Sequence, residues 1–480
     1  MRRRVDYPRM ELTSLPLIGV FKRNGPLIKL AFPVFLELIL SVAMGYVNQF
    51  LLAGIPLASN GVSQSNQISN IFVVSFSVLS SSSLILLSQL LGKNEKEAVG
   101  KIYSLSFFIN LALGMLVAGV LVGFSFFVFP LMGVDEAVIP YAKLYTIVSA
   151  PGVIFLALSN VFSSFLRANK RMAFPTVIAF LTNVINAAVA AIFIWAIPGL
   201  SELDKLIGVA VASDLSRLVG LVASYFFFRF GIGGRLSLKC LRPFPAHLFK
   251  KLLAIGLPTA GETLSYNASQ LVLSVIVNLS VSVLEQNLRN YLMTFTSLIY
   301  LFASGSGIAM QVSEGLLLGA GDKEEANRLV LDVGTMARTV SFLMSLLFTG
   351  LAYPVFLALM APAVSDPAVN VGGLSIETVA LMAVYLMLID IVLDQGRASN
   401  LVYVKALETS GDISFPVLCS IFTSWLFTVG ASALLSIVFG LGVYGAFIGA
   451  TLDECVRAVL FYVRWKRGGW KKRNLTSGID

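Results

Sequence analysis

Histidine occurs once in the 480 residues, at His247, and cysteine three times, at Cys240, Cys419 and Cys455. One imidazole leaves a histidine-based metal centre or a Ser-His-Asp apparatus almost nothing to work with. The three thiols follow neither metal-ligand nor disulfide spacing and read as ordinary thiols. Charge is scarce as well, at 13% of residues, where soluble globular proteins carry about a quarter. No GxxxxGK[ST] phosphate loop occurs, and no soluble segment is long enough for an ATPase domain, so this chain alone does not hydrolyse ATP. An enzyme would have only scattered carboxylates to use. The expectation is therefore no enzyme, no cofactor and no metal, with a sodium ion at Glu262 the one exception left open.

What is abundant is apolar sequence, 57% of the chain. The runs 38–92, 102–134, 144–166, 172–201, 339–365 and 413–452 contain no Asp, Glu, Lys or Arg. A helix needs about 20 apolar residues to cross the hydrocarbon core. The runs are too long and too evenly apolar for barrel strands, which alternate over about ten residues. Helices, which satisfy their own backbone groups, are left. The fold class is all-α, a polytopic membrane protein. The net charge of +9 is spread between the apolar segments and forms no nucleic-acid face. Met1-Arg2-Arg3-Arg4 looks like the start of a signal peptide, but the apolar run that follows is long and lacks a cleavage site, so the first span reads as a retained anchor.

Turn and charge signals divide the chain into twelve transmembrane helices. In the first half they fall near 27–53, 62–91, 103–130, 139–167, 175–198 and 206–229; in the second, near 252–281, 288–318, 330–358, 376–407, 414–438 and 441–465. Residues 1–229 and 251–480 thus form two six-helix lobes, and 230–250 a cytoplasmic linker. Basic residues gather at both ends and in alternate loops, at Arg2, Arg3, Arg4, Arg9, Lys22, Arg23, Lys93, Lys96, Lys101, Lys170, Arg171, Lys466, Arg467, Lys471 and Lys472. By the positive-inside rule both termini face the cytoplasm, across a plasma (inner) membrane.

The halves repeat one another. Pro33-x-x-x-Glu37 matches Pro258-x-x-x-Glu262. Leu90-Leu91-Gly92-Lys93-Asn94 through Ala98 matches Leu317-Leu318-Gly319-Ala320-Gly321 through Ala326, with one insertion. Residues 166–175 match 407–416 without a gap, and Asp214-x-x-Arg217 lines up with Glu454-x-x-Arg457. Parallel repeats of an even number of spans are related by a pseudo-two-fold axis along the membrane normal, with a solute bound between them.

Ionisable and amide residues inside the spans nominate the site, because a charge in the bilayer is costly and faces a cavity or a partner. Glu262 stands one turn after Pro258. Asp390, Asp394 and Arg397 follow an i, i+4, i+7 spacing on one helical face. These four are the cation-coupling candidates. Glu37, Asn48, Asn66, Asn70, Tyr266, Gln270 and Asn400 are candidates for a substrate cavity, and Pro33 and Pro258 for hinges. The bland alternatives are that Glu262 is a structural acid locked to Arg397 or another partner, and that Glu37, near Lys29 and the inner end of its helix, only repeats Glu262. The Asp214/Arg217 and Glu454/Arg457 pairs read as local neutralisation on one helix.

The paired Pro-x-x-x-Glu openings, the duplicated Leu-Leu-Gly loops, the loops before Pro175 and Pro416 and the basic Arg464-Trp465-Lys466-Arg467 end together resemble the MATE (multidrug and toxic compound extrusion) family over nearly the whole chain. The resemblance implies two lobes alternately open to either face and efflux driven by protons or sodium ions. It places Glu262 at the family's acid of the seventh helix, and Arg397 with Asn400 at the position of a basic branch in the tenth. It also exposes two departures: Asn48 and Ala190, one turn after Asn186, stand where many members carry acids. The expected function is a cation-coupled antiporter exporting small organic, amphipathic or cationic compounds by alternating access. Its partners would be substrate, proton or sodium ion and the lipid bilayer, with no nucleic acid, and the protein is expected to be a monomer. The alternatives are a lipid-linked saccharide flippase of the same superfamily, or a non-transporting membrane receptor or scaffold.

Overall fold

The computed structural model describes residues 16–52, 54–132, 134–367, 369–473 and 475–477. The side chains of 16, 42–46, 49–50, 70–75, 77 and 240 lie outside that description. Among the described residues every regular element is helical. A helix α1 (Pro16–Arg23) precedes α2 (Gly25–Leu51), α3 (Pro56–Lys93), α4 (Lys96–Phe124), a single turn α5 (Val128–Leu131), α6 (Ile139–Ala168), α7 (Ala173–Ala191) and α8 (Glu202–Phe226). The second half supplies α9 (Ala246–Ser280), α10 (Val283–Gly319), α11 (Lys323–Ser365), α12 (Ile376–Ser410), α13 (Ser414–Thr423) with π-helical turns to Val438, and α14 (Gly442–Lys466).

Leaving α1 and α5 aside, the helices correspond one to one with the twelve expected spans. The largest boundary differences are in α4, which starts and stops earlier than expected, and in α11; α3 and α11 both run past the predicted ends. At 38 and 43 residues, they exceed the roughly 20 residues a membrane crossing requires. Eight of the described helices are long and apolar enough to cross a membrane on length and hydropathy alone. The helices outside that group include α9 and α14, whose composition is diluted by the polar residues described below.

The repeat survives in backbone detail. After α3 the amides of Asn94 and Glu95 donate to the carbonyls of Leu91 and Leu90. After α10 those of Gly321 and Asp322 donate to Leu318 and Leu317. Asn94 and Gly321 both take a left-handed conformation, with φ 69° and 85°, and α4 and α11 then start at Lys96 and Lys323. The two turns share one hydrogen-bond register, residue for residue, so the insertion expected from the sequence is not needed there. The other pair of loops behaves alike. Arg171 donates to Leu166 and Asp412 to Leu407, with Lys170 (φ 60°) and Gly411 (φ 89°) left-handed. A lysine there carries the Cβ clash that glycine avoids.

By packing, the chain divides into two compact units. One takes in the described residues of Met1–Phe35, of Gly261–Leu317 and of Asp322–Asn474, the other those of Leu36–Ala260, of Leu318–Gly321 and of Leu475–Asp480. The divisions inside α2 and α9 fall two residues after Pro33 and Pro258. Proline lacks the N–H that the helical ladder needs and weakens it at those places.

In the first unit, Leu288, Leu292, Ile299, Phe356, Met360, Leu386 and Phe447 form an apolar core joining α10, α11, α12 and α14. Helices α12 and α14 approach to backbone contact, since a Cβ on Gly396 would lie 2.9 Å from the amide nitrogen of Cys455. At the start of the chain α1 meets α2 at 77°. Arg23 binds both carboxylate oxygens of Asp332 on α11 at 2.6 Å, and the Asn24 amide adds a 2.9 Å bond. In the second unit, Leu52, Val62, Tyr145, Ala190, Leu206 and Val209 pack together.

Candidate functional site

The polar interior of the first unit is built on α14. Asp453, Glu454 and Arg457 stand at i, i+1 and i+4, so one turn brings both acids to one guanidinium: Arg457 Nη2 lies 2.7 Å from Asp453 Oδ2 and 3.3 Å from Glu454 Oε1. All three are buried. The close approach at Gly396 then brings α12 in. Arg397 Nε donates to Glu454 Oε1 at 3.2 Å and Asn400 Nδ2 to Glu454 Oε2 at 2.8 Å. Asp453 also accepts from the Thr428 hydroxyl at 2.8 Å. Buried charges persist only when paired and hydrogen-bonded, and Glu454 meets that requirement three times over. Its role therefore exceeds the local neutralisation that the i, i+3 spacing suggests.

Glu262 of α9 sits at the edge of this network. Arg457, Lys405 and Asp453 act on it electrostatically, and Ser420 is beside it. Among the described residues neither Arg397 nor Arg457 forms an ion pair with Glu262, because both are engaged by Glu454 and Asp453. One turn on, the Tyr266 ring lies 5.7 Å from the Arg457 guanidinium carbon, and Arg397 is placed likewise over Tyr300 at 5.1 Å. Both are cation–π distances.

The face shared by Asp390, Asp394 and Arg397 divides its contacts. Both acids are fully buried. The Thr296 hydroxyl of α10 is 2.7 Å from Asp390 Oδ2, and the Ser345 hydroxyl of α11 is 2.9 Å from Asp394 Oδ2. Oδ1 of each acid has no hydrogen-bond partner among the described residues. Arg397, which the sequence groups with them, turns to Glu454 instead.

In the second unit the corresponding chemistry is neutral. Ser213 of α8, equivalent to Asp453 in the repeat, accepts from Asn48 Nδ2 and from Asn186 Nδ2, each at 2.9 Å, and Asn48 also reaches the Tyr145 hydroxyl at 3.3 Å. Ala190 is fully buried in the apolar core beside them. Where many members of the resembled family carry acids, amide nitrogens here donate to hydroxyls, and Asn48 Oδ1 and Asn186 Oδ1 have no hydrogen-bond partner among the described residues. Glu37, the counterpart of Glu262, is paired with Arg167 at 2.6 Å rather than with Lys29. Asn66 and Gln270 are half-buried, and the side chain of Asn70 lies outside the described residues. Asp214 sits with its carboxylate against Gly152, where a Cβ would come within 2.0 Å of it.

Several buried ionisable residues escape the sequence reading: Glu314, Asp332, Glu408 and Asp412. Asp332, Glu408 and Asp412 lie near the ends of predicted spans and read as loop charges. Glu314 is a lone acid in the run 290–318, and the repeat gives no hint of it because its equivalent, Leu87, is apolar.

Comparison with known proteins agrees with this geometry. The MatE family model matches residues 27–192. The chain is 26% identical over 452 residues to the "Uncharacterized transporter YisQ" of Bacillus subtilis (strain 168), covering 94% of this chain and 95% of that one. It is 25% identical over 469 residues to the "Probable multidrug resistance protein NorM" of Thermotoga maritima, covering 96% of each. Among solved structures it resembles a multidrug resistance MATE family transporter in an outward-facing conformation, with TM-score 0.82, 16% identity and coverage of 97% of this chain and 100% of that one. A MATE in complex with MaL6 gives TM-score 0.83 at 16% identity, covering 96% and 100%. The structures establish the fold, two bundles of six helices, and the sequence matches agree with it: in sequence and fold the chain resembles the MATE family of multi-pass membrane transporters.

Proposed function

We propose that the protein is a cation-coupled antiporter that exports small organic compounds by alternating access, with Glu262 as the exchange carboxylate. The observation that carries this reading is the position of Glu262 beside, and not inside, the Arg397–Glu454–Arg457–Asp453 network. Its two arginine neighbours are already committed, which leaves its charge to be balanced by Lys405 and by something that comes and goes. A proton, a sodium ion or a cationic substrate each meets that need, and each excludes the others at one carboxylate. A ligand shifts the access equilibrium only by its differential affinity for the two states. Binding that depends on whether Glu262 is hydrated or enclosed supplies that difference.

Asp390 and Asp394 extend the acidic surface on α12, each with one oxygen that has no hydrogen-bond partner among the described residues. The neutral Asn48–Ser213–Asn186 cluster supports assigning coupling to the second half alone. In this reading Tyr266, Gln270 and Asn400 contribute to the substrate surface. Pro33 and Pro258, at the points where the packing units divide, serve as hinges within the lobes at 1–229 and 251–480. The relative called a probable multidrug resistance protein supports organic compounds as cargo. The termini are assigned to the cytoplasmic side of the plasma membrane by the distribution of Lys and Arg. The test is substrate exchange in proteoliposomes under separately imposed proton and sodium gradients. Wild type should exchange under one of them and Glu262→Gln under neither; coupled exchange unchanged in that variant removes Glu262 from the mechanism.

A further inference from the structure

The cytoplasm-proximal half of α10 holds a carboxyl group that the network above does not use. Glu314 is 0% exposed, and neither of its oxygens has a hydrogen-bond partner among the described residues. Three residues earlier on the same helix the side-chain amide nitrogen of Gln311, 1% exposed, also lacks an acceptor. The charged groups of the surrounding helices are committed elsewhere. Asp332 of α11 is bound by Arg23 and Asn24, Arg328 by Glu325, and Arg338 donates to the Gly334 carbonyl. On α12, Lys405 lies against Gly307, about two turns from Glu314, and acts on Glu262. Asp412 holds Arg464. Among the described residues no charged side chain is paired with Glu314, which is fully buried.

A carboxylate taken out of water without a cation or a donor is far costlier than the neutral acid, and such groups neutralise rather than stay ionised. Glu314 is also unlike a structural acid, because structural acids in this protein have partners: Glu454 has three, Asp453 and Asp332 two or more. An unpartnered acid contributes nothing to holding helices together that a leucine, as at the equivalent Leu87, would not contribute better.

We propose that Glu314 is a proton-binding site on α10, separate from Glu262, which holds its proton while the side chain is enclosed and releases it to water when the inner end of α10 becomes hydrated. The step is a proton transfer: the carboxyl O–H bond breaks, water accepts the proton, and the anion exists only while solvated. The inference goes beyond the proposed function but rests on it, since a proton taken up and released once per cycle has a role only in a transporter with two access states. It adds a second protonation event on a different helix from the exchange carboxylate.

Two measurements on the full-length protein in lipid test it. Infrared difference spectra of wild type against E314Q should show a protonated-carboxyl carbonyl band in wild type that is missing in the variant; no such band overturns the proposal. Transport rate against pH in proteoliposomes should change along one limb by up to about tenfold per pH unit, the response of a single titrating group. E314Q should flatten that limb without changing substrate affinity. Coupled exchange in wild type with an identical pH profile in E314Q overturns the role of Glu314 alone. No coupled exchange in wild type overturns the transport reading and this role with it. If E314Q does not fold, E314D keeps a carboxyl group. Its band should then shift and its pH limb be displaced, and neither changing is equally fatal to the proposal.

Discussion

Removing the carboxylate of Glu454 should be the most damaging single change in the interior, and its cost can be worked from the contacts. Glu454 accepts from Arg397, Asn400 and Arg457. In Glu454→Ala, Arg457 keeps Asp453 at 2.7 Å, but Arg397, whose side chain is only 14% exposed, loses its ion pair. Orphaning one member of a buried pair costs about 3–5 kcal/mol. Because only one of the two arginines is orphaned, the lower end applies, about 3 kcal/mol, or roughly a hundredfold in the folded fraction at 1.4 kcal/mol per decade. The reverse truncation, Arg397→Ala, leaves Glu454 with Arg457 and Asn400. It removes one charge-assisted hydrogen bond, about 1.5–3 kcal/mol. The double variant should therefore cost clearly less than the sum of the two, because no unpaired guanidinium remains. Unfolding titrations in mixed micelles on the four proteins of this double-mutant cycle measure the coupling directly. Additive costs, or Arg397→Ala proving worse than Glu454→Ala, would refute the view of Glu454 as the hub.

Gly396→Ala places a methyl group 2.9 Å from the backbone of α14, where no side-chain rotation can relieve it. It should cost about 1–3 kcal/mol and weaken the Arg397–Glu454 pair, seen as a smaller coupling energy when the same cycle is run in that background. Asn48→Asp replaces a donor by an acceptor opposite Ser213 and Tyr145. With the cluster left mismatched it should lower stability by about 1–3 kcal/mol, and a thermal-stability comparison with Asn48→Ala separates the mismatch from simple loss of contact.

Much of the fold was legible because the bilayer imposes simple demands: long charge-free runs must be helices, and the spacing of basic loops divided them correctly. The duplicated loops were legible too, although the insertion inferred from Asn94-Glu95-Lys96 against Gly321-Asp322-Lys323 vanished once hydrogen bonds fixed the register. The site was less readable, because helical periodicity tells which residues share a face but not which neighbour that face meets. Asp390, Asp394 and Arg397 share a stripe in sequence, yet the two acids are served by hydroxyls of α10 and α11 and the arginine by an acid of α14. Glu454 looked like half of a local pair for the same reason; its partners on α12 lie more than fifty residues away in the chain. Asn48 shows the same limit: the sequence marks a buried amide, and only the structure shows that its nitrogen meets Ser213 and Tyr145.

The matched corners after α3 and α10, and again after α6 and α12, reverse the chain through the same pair of main-chain bonds, whether the pivot is asparagine, lysine or glycine. Little of the work of turning falls on particular side chains. Either copy is consequently at liberty to trade the chemistry of its interior, carboxylate for hydroxyl as between positions 453 and 213, while the scaffold carrying it keeps its course.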